Sequence, residues 1–108
     1  MMIHVKTRLD PKLIARQAET FKALSSPARV AIVTSLAERD MSVNELVDML
    51  ERLDCPCSCE RTNISKHLAV LREAGIVSVS EDAQRRIYRL RARCLVDAIS
   101  CTVRLANA

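Results

Sequence analysis

The sequence predicts a single, mainly helical domain with a small β-hairpin, in the order α-α-α-α-β-β-α. Three observations carry that expectation. Apolar residues mark one face in four stretches; Ile64, Leu68 and Leu71, for example, stand at i, i+4 and i+7 and so share one helix face. Residues that start helices open several of those stretches, and Gly75 closes one of them. After Gly75 the period changes to two, as strands require. The 108 residues suffice for one modest core and not for two.

The elements follow in order. Asp10-Pro11 supplies an N-cap and a proline at the first helical position, opening a helix that runs through about Leu24. Ser26-Pro27 repeats that punctuation before a second helix, whose apolar face is Val30, Ile32, Val33 and Leu36. Ser42 with Glu45 three residues on is a capping box for a third helix over 43–53, carrying Leu46, Val47, Met49 and Leu50. Pro56 makes the following Asp54-Cys55-Pro56-Cys57-Ser58-Cys59 a turn or extended loop. A fourth helix spans 60–74, and Gly75 is its left-handed cap. Strands over 76–80 and 86–90 flank a turn from Glu81 to Arg85. The last helix covers 93–106, with Leu95, Val96, Ile99 and Val103 as its apolar stripe.

Composition removes several functions. With one Phe, one Tyr and no Trp, the chain lacks the aromatic platforms on which unpaired bases stack. A single glycine excludes Gly-rich phosphate loops. No apolar run approaches the ~20 residues of a membrane span, and no signal-peptide pattern opens the chain. The expectation is a soluble, cytoplasmic protein with no membrane partner. In that compartment the five cysteines are thiols, not a disulfide framework. The net charge of +4 suits nucleic acid or an acidic partner without distinguishing them.

The third helix, its connection and the fourth helix form a candidate helix-turn-helix, with the fourth helix as the reader in the major groove. With Ile64, Leu68 and Leu71 facing the core, Thr62, Asn63, Lys66, Ala69 and Glu73 lie opposite, with Ser65 on the flank. Apart from Ala69 and Glu73, these short polar or cationic groups suit base edges and phosphates; an ordinary solvated helix face has the same pattern. Charge placement favours the first reading. Eight Lys and Arg stand from Arg61 to Arg93 against Glu73, Glu81 and Asp82. Arg85 and Arg86 lie at the hairpin tip, within reach of phosphates or the minor groove, although Glu81 and Asp82 at the same tip argue against a purely electrostatic contact. The candidate DNA contacts are Arg61, Thr62, Asn63, Ser65, Lys66, Arg85 and Arg86.

Three stretches now carry a resemblance: Ala23-Leu24-Ser25-Ser26-Pro27-Ala28-Arg29-Val30, then Ser65-Lys66-His67-Leu68-Ala69-Val70-Leu71-Arg72-Glu73-Ala74-Gly75-Ile76-Val77, then Arg85-Arg86-Ile87-Tyr88-Arg89-Leu90. Over about 10–105 the chain resembles the ArsR/SmtB family, dimeric winged-helix repressors of bacteria and archaea that release DNA when a metal, metalloid or redox signal reaches them. The resemblance implies a winged helix-turn-helix domain over 10–106 after an N-terminal extension, 1–9. It also implies a homodimer formed by the first and last helices, with recognition helices in successive major grooves of double-stranded operator DNA, ~34 Å apart. Two features depart from the family. The helix-turn-helix connection is lengthened and filled with cysteine, and the wing turn, Asp82-Ala83-Gln84-Arg85, lacks the usual glycine.

The cysteines are the candidate sensor. In an extended segment Cys55, Cys57 and Cys59 point the same way, and three thiolates suit soft ions. A trigonal site fits As(III) or Sb(III), whereas tetrahedral Zn(II) or Cd(II) needs a fourth ligand. Drawing the sulfurs together would tighten the connection and tilt the fourth helix from its DNA-competent pose. Cys59, beside a helix N-terminus, is expected to have a lowered pKa. The alternative is that these small side chains only fill space.

Cys94 and Cys101 are the second choice. Seven residues apart, they share a helix face at ~10 Å, too far for one zinc, whose thiolates lie under ~5 Å apart. Across an antiparallel helix pair centred near Ala98, Cys94 would instead meet Cys101 of the partner subunit. The resemblance adds that Cys94 matches a ligand position on the family's last helix. The same two residues also suit the core of a dimer, or an extra ligand for an ion held by the loop. His67, at the core edge of the fourth helix, is expected to pack or bond locally and not to bind metal.

The resulting expectation is a repressor with no permanent cofactor, released by arsenite or antimonite first and by Cd(II) or Zn(II) second. A thiol redox or persulfide sensor on the same fold is the alternative, and a structural zinc module that binds protein is another. An enzyme using Cys59 as nucleophile would need an oriented base and an oxyanion site, and the sequence offers neither.

Overall fold

The computed structural model of the protein describes residues 9–53 and 60–107. Helix α1 spans Pro11–Ala23, and the Asp10 side chain caps it by accepting from the Lys12 N–H at 3.0 Å. Helix α2, Pro27–Glu38, starts at Ser26, whose side chain makes no cap bond. Its Ile32, Val33 and Leu36 are fully buried, and the hydroxyl of buried Ser35 donates to the Ala31 carbonyl at 2.8 Å.

A strand that the sequence reading missed, β1 at Met41–Ser42, precedes helix α3 at Val43–Arg52. The expected capping box is present: the Glu45 N–H donates to Ser42 Oγ at 3.3 Å, and the Ser42 N–H donates to Glu45 Oε1 at 3.0 Å. Helix α4 spans Arg61–Glu73. It ends in the glycine cap that the sequence predicts. Gly75 has φ +77°, its N–H donates to the Arg72 carbonyl, and the Ile76 N–H donates to the Leu71 carbonyl at 2.9 Å, the paired bonds of a Schellman motif.

Strands β2, Val77–Asp82, and β3, Arg85–Leu90, are antiparallel, and β1 adds to β3 through Met41 opposite Tyr88 and Ser42 opposite Ile87, giving the order β1-β3-β2. The expected five-residue turn over 81–85 is corrected here. Glu81 stands opposite Arg86 and Asp82 opposite Arg85 in the ladder, so the strands run further out and leave only Ala83 and Gln84 in the turn. Both have positive φ, 49° and 71°, as in a type I′ hairpin turn without its usual Asn-Gly. Helix α5, Cys94–Ala106, closes the described chain.

The core is aliphatic save for Tyr88. Leu46 and Leu50 of α3 and Ile64, Leu68 and Leu71 of α4 are wholly buried with Ile32 and Leu36 of α2, and Ile76, Val77 and Leu90 bring the sheet against them. Each such side chain contributes roughly 1.5–3 kcal/mol. α1 buries only Ala23, and α5 buries no residue, although Leu95, Val96 and Ile99 lean on the core. This arrangement of α3, α4 and a flanking hairpin is a winged helix-turn-helix, with β2-β3 as the wing.

Candidate nucleic-acid interface

The burial of α4 fixes what it presents. Because Ile64, Leu68 and Leu71 are all buried, Arg61, Thr62, Ser65, Lys66 and Ala69 stand exposed on the outer side, and Asn63 is half-buried. Glu60, at the N-cap position, makes no side-chain cap, and the first turn holds no acid. The positive end of the α4 dipole and the cations Arg61 and Lys66 therefore act in the same direction, favouring anions. Arg61, Lys66 and Arg72 have no ion-pair partner among the described residues.

A groove of about 850 Å³ separates α4 from the wing. One wall carries Arg61, Ser65, Ala69 and Arg72; the other carries Gln84, Arg85 and Arg86; its floor is the N-terminus of α3 at Ser42, Asn44 and Glu45. Six of the seven sequence-predicted contact residues thus face this groove or the adjoining exposed side of α4, and half-buried Asn63 lies beside them.

The two wing arginines differ. Arg86 is exposed, and its guanidinium lies 5.9 Å from the centre of the Tyr88 ring, which stiffens it without neutralising it. Arg85 is paired: its Nη2 donates to Glu45 Oε1 at 3.0 Å and reaches Ser42 Oγ at 3.4 Å. Arg39 holds the other carboxylate oxygen of Glu45 at 2.8 Å. Bonding from the Ser42 N–H and then from Arg39 keeps Glu45 ionised and lowers its pKa to about 2. The sequence reading identified Glu45 only as a cap. Its partner Arg85 is 40 residues away, and Arg39, six residues before it, matches no local pattern that joins the two.

His67 bonds locally, as expected. Arg29 Nε donates to His67 Nδ1 at 3.1 Å, joining α2 to α4. Cys94 and Cys101 are both free and exposed along α5. Cys55, Cys57 and Cys59 lie outside the described residues, and no cluster of three metal-ligating side chains occurs among those described. No described helix is long and apolar enough to cross a membrane.

A family model described as a helix-turn-helix domain matches residues 24–80, from the end of α1 into the wing strand β2. The HTH-type transcriptional regulator Rv0081 of Mycobacterium tuberculosis is 38% identical over 84 residues, covering 78% of this chain and 68% of that protein. The transcriptional repressor SmtB of the same organism is 31% identical over 93 residues, covering 82% and 64%. The chain belongs to the ArsR/SmtB family. Solved structures agree with that membership. Rv0081 superposes with TM-score 0.69 at 33% identity over 91% of both chains. HlyU from Vibrio cholerae, also solved in a reduced form, superposes with TM-score 0.70 at 28% identity over 92% of this chain and 100% of that one. Relatives across the family's helix-turn-helix region are thus transcriptional regulators.

Proposed function

We propose that the protein is a transcriptional repressor that binds double-stranded operator DNA as a homodimer and is released by a thiophilic signal read by cysteine. The observation that carries the DNA-binding reading is the groove between α4 and the wing. Arg61, Ser65 and Arg72 line one side of it and Arg86 the other, and exposed Thr62 and Lys66 stand on the adjoining side of α4, whose opposite face is locked into the core. A duplex edge placed there meets hydroxyls and cations suited to base edges and phosphates.

The apolar residues left outside support the dimer. Phe21 on α1 is 63% exposed, and Val103 and Leu105 on α5 are 55% and 76% exposed. Large apolar side chains gathered on two poorly buried terminal helices are the composition of an interface.

Cys55, Cys57 and Cys59 are the donor set proposed for the signal, with Cys94 and Cys101 across the dimer as the second. Three thiolates match As(III) or Sb(III), and with a fourth ligand Cd(II) or Zn(II). Leu53 closes α3 and Arg61 opens α4, so a change in the span between them bears directly on the pose of α4. The second reading is a thiol redox or persulfide sensor. Two observations support it: Cys94 and Cys101 are free thiols, and HlyU has been solved in a reduced form.

Fluorescence anisotropy of labelled DNA from upstream of the gene tests the DNA-binding reading. Lys66→Ala and Thr62→Ala are expected to weaken binding at least tenfold each while leaving the thermal midpoint in place. Unchanged affinity in both would remove α4 as the reader.

A further inference from the structure

Resting on that DNA-binding reading, the geometry points to Glu45 as a positioning residue that latches the wing through Arg85, leaving Arg86 as the wing's phosphate contact. Glu45 lies on the floor of the groove, whose lining also holds Asp48 and Glu73, and among the described residues it alone of the three is ion-paired. Both of its carboxylate oxygens are occupied. Oε1 accepts from the Ser42 N–H and from Arg85, and Oε2 accepts from Arg39. One side chain therefore joins the chain entering β1, the start of α3 and the base of the wing turn.

Arg85 cannot serve this joint and a phosphate equally. Moving its guanidinium to DNA would break a 3.0 Å charge-assisted bond and leave Glu45 facing a phosphate with one fewer counter-charge, a repulsive arrangement at the same spot. Arg86 loses nothing comparable. It makes no ion pair among the described residues, and its guanidinium lies over the Tyr88 ring in the lining of the groove. Adjacent arginines in the sequence thus take different tasks, one fixing the wing and one meeting the ligand.

Glutamine at position 45 separates the two tasks. It keeps the capping box, which Gln forms as Glu does, but it removes the charge that retains Arg85. The test is the slope of log affinity against log salt for a random-sequence 30-bp duplex, where binding is to the backbone alone. Each phosphate contact contributes about 0.9 to that slope per subunit engaged. Arg86→Ala is expected to flatten the slope by that amount, and Arg85→Ala to leave it unchanged. Glu45→Gln is expected to steepen it by the same amount as Arg85 is released, and Glu45→Gln/Arg85→Ala to restore the original value. A merely structural role for Glu45 would not produce that restoration.

A slope flattened by Arg85→Ala alone would overturn the latch, and that readout does not depend on Glu45→Gln folding. An unchanged slope in folded Glu45→Gln would overturn it as well. Absence of binding by the unsubstituted protein at low salt would instead remove the DNA-binding reading, and the latch with it.

Discussion

Arg29 and His67 form a hydrogen-bonded joint between α2 and α4. Arg29 Nε donates to His67 Nδ1 at 3.1 Å, while Arg29 Nη1 reaches the Ala23 carbonyl at the end of α1 at 3.3 Å. The imidazole must accept at Nδ1, so it is neutral with its proton on Nε2. Protonation would turn that acceptor into a donor aimed at a cation.

Burial first, and the charge of Arg29 second, accordingly hold His67 below its ordinary value of 6.5. With the folded value below the unfolded one, the unfolded chain binds more protons in that interval, and stability rises with pH. The contribution is complete above about 6.5 and is lost as pH falls through the folded value. His67→Gln, which keeps an acceptor for Arg29 and cannot titrate, is expected to flatten the stability curve just below pH 6.5 in denaturant titrations. A curve of unchanged slope there would contradict the assignment.

Glu45 gives the opposite end of the acid profile. Its pKa near 2 lies below the ordinary carboxylate value of 4.5, so its contribution is complete above 4.5 and is lost as pH falls toward 2. Acid unfolding followed by circular dichroism is expected to begin at lower stability but with a shallower pH dependence in Glu45→Gln.

The wing turn stores backbone strain. Ala83 and Gln84 both occupy the left-handed region, which costs roughly 1–2 kcal/mol per residue for a side chain with a Cβ. Ala83→Asn with Gln84→Gly, the pair that a type I′ turn prefers, is expected to stabilise the protein by about 1–2 kcal/mol. Equal or lower stability would show that the turn relaxes in solution.

Gly75 presents the converse case. A Cβ built on it meets nothing within 4 Å, so the cost of Gly75→Ala comes from its φ of +77° alone. That cost is expected to be about 1–2 kcal/mol, read as a lower thermal midpoint with no loss of helical signal.

The exposed apolar residues predict oligomeric state. Phe21→Glu and Leu105→Glu are expected to shift sedimentation toward a monomer and to weaken DNA binding along with it. A dimer surviving both substitutions would place the interface elsewhere.

Local signals made much of this fold legible. The Ser42–Glu45 box, the Gly75 cap and the Ile64, Leu68, Leu71 stripe each encode their geometry within a few residues, and they fixed the orientation of α4 and hence its exposed side. What escaped is long-range. β1 is two residues long and exists only through pairing with Tyr88 and Ile87. Arg85 finds Glu45 across 40 residues, and Arg29 finds His67 across 38. The tight turn was hidden because Ala83 and Gln84 are not the residues that a turn with positive φ at both centres prefers. The candidate contact residues were readable by face, but the division between Arg85 and Arg86 required the folded groove.

The proposal that Cys55, Cys57 and Cys59 control DNA binding meets its most direct test in one titration. Reduced protein bound to upstream DNA is followed by anisotropy as arsenite is added with a non-chelating reductant. Release near one arsenite per subunit is predicted, with release abolished when Cys55, Cys57 and Cys59 are all replaced by serine. Binding that ignores arsenite, or release that persists in the triple serine variant, would contradict the account of the signal.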